Sequence, residues 1–428
     1  MIRPTISRLL TSLALIVLVA LALRLAYAYY DAHQIPLRIL AEVPFLYEPG
    51  HIAFSLATGR GFSSPFGPDT GPTAWTTPIY PLILAGIFDI FGTFTFPAYV
   101  AAISLNILFS TLTCMPIYFA GKRIGGLTVA SIAAWLWALF PNAVIIPSQW
   151  IWDTSLSGLL VALILWATLA WADSSRAWKW CAYGLLWGLT LMTDATLLAG
   201  LPFLLGWMAW RLRKGSPGNC LKKPLFACAM IVLTCIPWTV RNYLAFHSFI
   251  PLRTGLGLQL WLGNNDAYRD AFPGWLHPID NAAEREKYIA QGEVAYMAQK
   301  RHEAISWMFS HPGREAHLFA QRFTGTWFGT AHPFADFLCS KTLLLRTIFI
   351  SDWLVVIAAL VGAVLVCVRR EGRGFAVPLT AFPIFYPFAF YFSLALFRYR
   401  YPIDPAIILL AAIAFSAFSP GRLFPEEL

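Results

Sequence analysis

Charged side chains are scarce in this sequence: Asp, Glu, Lys and Arg make up 12% of the 428 residues, while 58% are apolar. A soluble domain carries roughly 25% charge, so there is too little here to coat a water-facing surface, and a membrane protein is expected. Cysteine is also sparse. Of the seven, at positions 114, 181, 220, 228, 235, 339 and 367, only Cys339 is expected to face outside, which excludes an external disulfide within the chain, and no CxxC or Cys/His zinc spacing occurs. HExxH is missing as well. All eight histidines nevertheless fall within residues 31–96 and 242–346, which leaves a metal site open beside a plain preference for aqueous loops. No internal repeat is present, although repeated halves are what a secondary transporter should show.

What the chain has instead is apolar runs. Ten are long enough to be candidate spans, at about 9–30, 97–120, 127–147, 154–172, 178–193, 195–210, 225–240, 347–368, 375–397 and 403–418. Residues 178–210 could alternatively form one long tilted helix, but that would reverse every later loop. The net charge of +9 is unevenly placed. Alternate connections hold Arg3, Arg8, Lys122, Arg123, Arg176, Lys179, Arg211, Arg213, Lys214, Lys222, Lys223, Arg369, Arg370, Arg373 and Arg422, fifteen of the 31 basic residues, against four acids. This is a positive-inside signal: both termini are expected to be cytoplasmic, and a nucleic-acid partner is not. The N-terminal run resembles a signal peptide but is too long and lacks a clear cleavage site, so it is expected to be a retained span. The resulting organisation is an N-terminal membrane module (1–241) with a first external loop (31–96), a long external helical loop (242–346), and C-terminal spans (347–428).

The two external loops hold most of the polar information. Residues 47–62 predict a short helix, with Glu48 favouring its positive end and Gly59 and Gly61 ending it; 78–92 predict a second, too short to span and expected at the membrane surface. In the long loop, 283–309 and 314–328 predict amphipathic helices separated by His311-Pro312-Gly313. Such a loop is either a lid or binding surface or a small packed cap. Asp153, Asp194 and Asp404 sit at span ends on the external side, as helix caps and turn residues or as members of an outward-facing cluster.

Together these features resemble the GT-C superfamily of multi-span glycosyltransferases, which includes protein O-mannosyltransferases and lipid A aminoarabinose transferases. The resemblance is carried, in order, by Glu48 to Gly61, by Pro72 to Pro81, by Pro237-Trp238-Thr239-Val240-Arg241-Asn242-Tyr243, by Gly263-Asn264-Asn265, and by Arg398-Tyr399-Arg400-Tyr401-Pro402. It implies an all-α membrane fold and an inverting transfer of a sugar from a polyprenyl-phosphate carrier to a glycan, lipid or protein acceptor at the external face. A secondary transporter or lipid flippase is the alternative. The resemblance further implies a carboxylate base, Glu48 with Glu42 competing and Asp153 as a second catalytic candidate, and His51 orienting it or the acceptor. Arg398 and Arg400, then Arg241 and Arg253, would stabilise the phosphate leaving group, unless they merely snorkel; Asn264, Asn265 and Tyr399 belong to the same matched segments. A divalent metal is compatible with this reading, and no metal ligand is assigned.

Overall fold

A computed structural model describes residues 11–215, 222–268, 273–330, 332–340, 342–418 and 424. Arg3, Arg8, Arg422, Cys220 and the start of the first expected span lie outside the described residues. The first half comprises α1 (Leu13–Ala32), α2 (Leu37–Glu42), α3 (Glu48–Ala57), α4 (Ile79–Phe91), α5 (Phe96–Leu112), α6 (Cys114–Leu139), α7 (Pro141–Gln149), α8 (Thr154–Trp171), α9 (Ala177–Leu191) and α10 (Leu201–Gly215). The second comprises α11 (Lys222–Phe246), α12 (Leu256–Gly263), α13 (Ala282–Gln291), α14 (Glu293–Ser310), α15 (Pro312–Phe328), α16 (Pro333–Cys339), α17 (Leu343–Val368), α18 (Ala376–Phe385), α19 (Phe388–Tyr391) and α20 (Asp404–Ser416). A single bridge, Ser63 to Pro72, is the sole strand-like pairing among the described residues. The chain is an all-α, multi-pass membrane protein.

Seven helical segments are long and apolar enough to cross a membrane, and the differences from ten expected spans have local causes. The expected span 97–120 and most of 127–147 fall in the segment Phe96–Leu139, the end of the second entering α7. The segment breaks at Gly125 and Gly126, the latter at φ +68°, where L side chains are disfavoured. The flanks then fold together: a Cβ on Gly121 would stand 2.9 Å from the Ala130 Cα. The expected spans 178–193 and 403–418 appear as α9 and α20, only 15 and 13 residues long, and 375–397 is divided between α18 and α19. After α9, Asp194 opens a 3-10 turn (Ala195–Gly200) and accepts the Thr196 N–H at 2.9 Å, so residues 178–210 are two helices rather than one. In the long loop, Gly292 at φ +75° splits the expected helix 283–309 into α13 and α14.

Packing follows side-chain size. On α9, Gly184 and Gly188 let the backbone approach α11, since a Cβ at either would strike Ala227 or Thr234 within 2.5 Å. Helix α20 is apolar on all sides and buried from Asp404 through Ala414, as expected of a central helix, and lies against α6 and α17. Arg24, buried within α1, donates to the carbonyls of Trp137 and Ala138 at 3.3 Å and to Ser110 Oγ at 2.9 Å, placing a cation on the C-terminal end of α6.

Arg400 is committed to this framework. Its guanidinium bonds both carboxylate oxygens of Asp352 on α17, Asp404 Oδ1 at 2.8 Å and the Trp327 carbonyl at 2.9 Å. Removing one partner of a buried ion pair leaves the others uncompensated, at a cost of about 3–5 kcal/mol. Arg400→Ala is therefore expected to lower the thermal midpoint of the detergent-solubilised chain sharply, whereas substrate affinity measured on the folded fraction stays unchanged.

Candidate active site

A cavity of about 450 Å³ opens where both loops meet the ends of the spans, a volume suited to a small polar group. Each loop and several span ends contribute to its walls. Glu48 is the first residue of α3, where a carboxylate meets the positive helix end, and it is 7% exposed. His277, from the long loop, faces it with Nε2 3.3 Å from Oε1. The Ile279 N–H donates to His277 Nδ1 at 3.3 Å; with Nδ1 accepting, the ring proton resides on Nε2 and points at the carboxylate. Burial, the largest influence on Glu48, favours its neutral form, but the hydrogen bond from His277, its own backbone N–H and Arg398 outweigh it and hold the carboxyl below the ordinary range. Glu48 is accordingly ionised at neutral pH.

Opposite stands Asp153, at the N-cap position of α8 but making no capping bond; it lines the cavity with Asp194 and Arg253. Burial, reinforced by the neighbouring Asp194 carboxylate, pushes Asp153 up to about 7 against the pull of Arg253 and Arg398. The sign of the consequence is set by the raised value. Between its ordinary 3.8 and about 7 the folded chain holds a proton that the unfolded chain has released, so stability falls as pH rises through this window. Asp153→Asn has no proton to lose: its thermal midpoint is expected to vary less from about pH 4 to 7 and to exceed the parent's by a few degrees at about pH 8.

The cationic wall is Arg398. Its guanidinium carbon lies 4.6 Å from the Trp150 ring centre and 4.0 Å from that of Trp152, so the planar fork is clamped between indoles. Although only 7% exposed, its Nε and one terminal nitrogen find no hydrogen-bond partner among the described residues. A buried, unsatisfied donor pair is costly unless something outside the protein completes it. Arg253 reaches the same cavity and donates to Thr196 Oγ1 at 2.8 Å, and Tyr399 completes this wall, its ring 4.8 Å from Phe390.

The remaining sequence-predicted residues go elsewhere. The segment Phe397–Ile403 is a 3-10 turn in which Arg398 and Arg400 diverge, and Arg400 is occupied by Asp352 and Asp404. Arg241 donates to the Thr73 carbonyl at 2.6 Å and the Phe62 carbonyl, fastening the first loop to α11. Asn264 is fully buried, bonded to the carbonyls of Leu260 and Phe392 and accepting from Arg322; Asn265 caps the next turn through Ala267 and Tyr268. His51 sits behind Glu48 without lining the cavity. Glu42 is exposed and paired with Arg38 at 3.7 Å, away from the cavity. Gly50 admits the backbone of Phe45, whose carbonyl oxygen would lie 2.0 Å from a Cβ there.

His277, Trp150 and Trp152 are the residues sequence reading missed. The run Trp150-Ile151-Trp152-Asp153 carries an aromatic-acidic signal beside a span end; His277 has none, because only folding of the second loop brings it to Glu48. That loop is fixed by Glu293, 3% exposed, whose carboxylate accepts from the Ala74 N–H, Thr254 Oγ1 and the Tyr288 hydroxyl, each at 2.7 Å, and from Thr73 Oγ1. Burial raises its pKa despite these four donors. No three His, Cys, Asp or Glu side chains among the described residues are grouped to hold a metal ion; Glu48 is engaged by His277, and Asp194 by Thr196 and the Tyr386 hydroxyl at 3.3 Å.

Neither a family model nor a curated protein sequence matches the chain. Solved structures do. The crystal structure of the Archaeoglobus fulgidus oligosaccharyltransferase in complex with Zn and sulfate aligns over 94% of this chain and 49% of its own, at 13% identity and TM-score 0.53. The archaeal oligosaccharyltransferase AglB from the same organism, in complex with an inhibitory peptide and a dolichol-phosphate, aligns over 96% of this chain and 52% of its own, at 13% identity and TM-score 0.54. The form tethered to an acceptor peptide containing the NVT sequon gives 93%, 49%, 12% and 0.50. The chain spans about half the length of these structures. They are GT-C superfamily glycosyltransferases, and it is the GT-C fold that this chain shares with them.

Proposed function

We propose that the chain is an inverting glycosyltransferase that moves a sugar from a polyprenyl-phosphate carrier to an acceptor at the external membrane face, with its termini cytoplasmic. The observation that carries this reading is Arg398, stacked between Trp150 and Trp152 with two unsatisfied N–H groups in the same cavity as the ionised Glu48. An anion acceptor and a proton acceptor thus share one space. The shared fold supports it, since AglB has been captured with a dolichol-phosphate and, in another structure, the same organism's oligosaccharyltransferase with an acceptor peptide; a peptide is accordingly the acceptor class with most support here.

In the proposed reaction an acceptor oxygen or nitrogen attacks the anomeric carbon from the face opposite the phosphate. Its proton passes to a Glu48 carboxylate oxygen while His277 holds the other side of the group in place. The bond from the anomeric carbon to the phosphate oxygen breaks with its electron pair leaving on that oxygen, where Arg398 and Arg253 meet the developing charge. Asp153, its pKa pushed up to about 7, is partly protonated near neutral pH and repels that phosphate less than an ordinary carboxylate would.

The test is reconstitution of the full chain in vesicles with a polyprenyl-phosphate carrying a labelled sugar, together with an acceptor peptide. Label appearing on the peptide with release of polyprenyl phosphate supports transfer. Movement of intact labelled lipid across the bilayer with no release instead establishes the flippase alternative and removes this proposal.

A further inference from the structure

Helix α8 leaves the candidate active site at Asp153 and runs 18 residues to Trp171, about 27 Å at 1.5 Å per residue. That is close to the thickness of a hydrocarbon layer, so its far end lies at the opposite membrane face. A second cavity of about 450 Å³ is found there, walled by Lys122, Arg123 and Lys179 together with Phe119, Trp166 and Trp171. Three cations line it and no acid does. Among the described residues none of the three forms an ion pair, and Arg123 has only a long bond, 3.5 Å, to the Ala170 carbonyl. Asp173, the acid closest in sequence, is already held by Arg211 at 2.9 and 3.0 Å.

The surroundings identify the kind of anion. Trp166 and Trp171 meet edge-on at 5.5 Å, and Trp171 and Trp178 at 6.1 Å, an aromatic belt of the sort that sits at headgroup level. Phe119, Leu127 and Trp178 are exposed beside it at 40%, 52% and 57%, an apolar flank that a soluble anion would leave uncovered. We propose that this cavity binds the phosphodiester headgroup of an anionic phospholipid, its acyl chains covering that flank. The Gly125–Gly126 break gives Lys122 and Arg123 their place: it returns the chain at the membrane boundary and leaves both side chains facing α8. This site is independent of the transferase reading.

Native mass spectrometry of the full chain in detergent tests it, with phosphatidylglycerol, with phosphatidylcholine, and with phosphatidylglycerol plus excess inorganic phosphate. Retention of phosphatidylglycerol over phosphatidylcholine is expected, resistant to phosphate. Each cation removed should cost roughly fivefold in affinity, so Lys122→Gln/Arg123→Gln/Lys179→Gln loses the adduct while Arg176→Gln, on the same connection but outside the cavity, keeps it. Equal retention of the two lipids, displacement by phosphate, or an undiminished adduct in the triple variant would overturn the assignment. Should the triple variant fail to fold, Lys122→Gln and Arg123→Gln singly, at exposed positions, must each weaken binding; unchanged binding in both overturns the assignment equally.

Discussion

Replacing Glu48 with Gln is expected to lower turnover roughly 10²-fold or more, the usual contribution of a positioned base. Gln is nearly isosteric and can still accept the Nε2–H of His277, so the buried pair at 3.3 Å is kept in shape while the ability to take a proton is lost. If Glu48 served only its helix, the substitution would cost about 0.3–1 kcal/mol of dipole interaction and leave the rate alone. Glu42→Gln is the matched control: that carboxylate is exposed and touches Arg38, and its removal should leave turnover at the parental level. His277→Ala separates positioning from chemistry. Without the ring, burial dominates Glu48, its pKa rises, and the acidic limb of the rate profile moves upward in pH; a profile that does not move would leave His277 with no part in holding the base. An active Glu48→Gln protein places the base elsewhere, with Asp153 next in the cavity.

How much of this was legible in sequence depends on the distance over which each feature is determined. Apolar runs are local, and all ten give helical segments among the described residues, although α9 and α20, at 15 and 13 residues, fall short of a full crossing. Helix α3 was readable from Glu48 and its closing glycines for the same local reason. Gly292 shows the limit: it sits in an amphipathic run and would cost only about 1 kcal/mol in a continuing helix, yet at φ +75° it ends one helix and starts another. The site splits along the same line. Glu48, Asp153, Arg253, Arg398 and Tyr399 lie at span ends or in the two long loops and line one cavity. Arg241, Asn264 and Arg400 lie in the matched segments too, but their partners, Thr73, Phe392 and Asp352, come from other parts of the chain and turn them into fasteners. Nothing in the order of residues announces His277 opposite Glu48, because that pairing exists only after Glu293 has tied the long loop to residues 73 and 74.

Arg398 is where the largest loss is expected on the leaving-group side. Arg398→Ala removes the guanidinium from the cavity wall, and loss of one preorganised donor to developing negative charge typically costs about 10²–10³ in turnover. Arg398→Lys retains the charge but neither the fork nor the flat face that Trp150 and Trp152 enclose at 4.6 and 4.0 Å, so it should recover only part of that loss. The kinetic signature distinguishes this from a structural role: the maximal rate falls more than donor affinity, because the charge met by Arg398 grows only as the phosphate departs. Inhibition by free polyprenyl phosphate, which resembles the departing group, should weaken in parallel. Thermal midpoints supply the contrast with Arg400, two residues away. Arg398 has no ion-pair partner among the described residues, so its neutral replacement should lower the midpoint far less than Arg400→Ala, which strands Asp352 and Asp404. If Arg398→Ala retains parental turnover in folded protein, the phosphate is not met by Arg398, and the leaving-group assignment passes to Arg253.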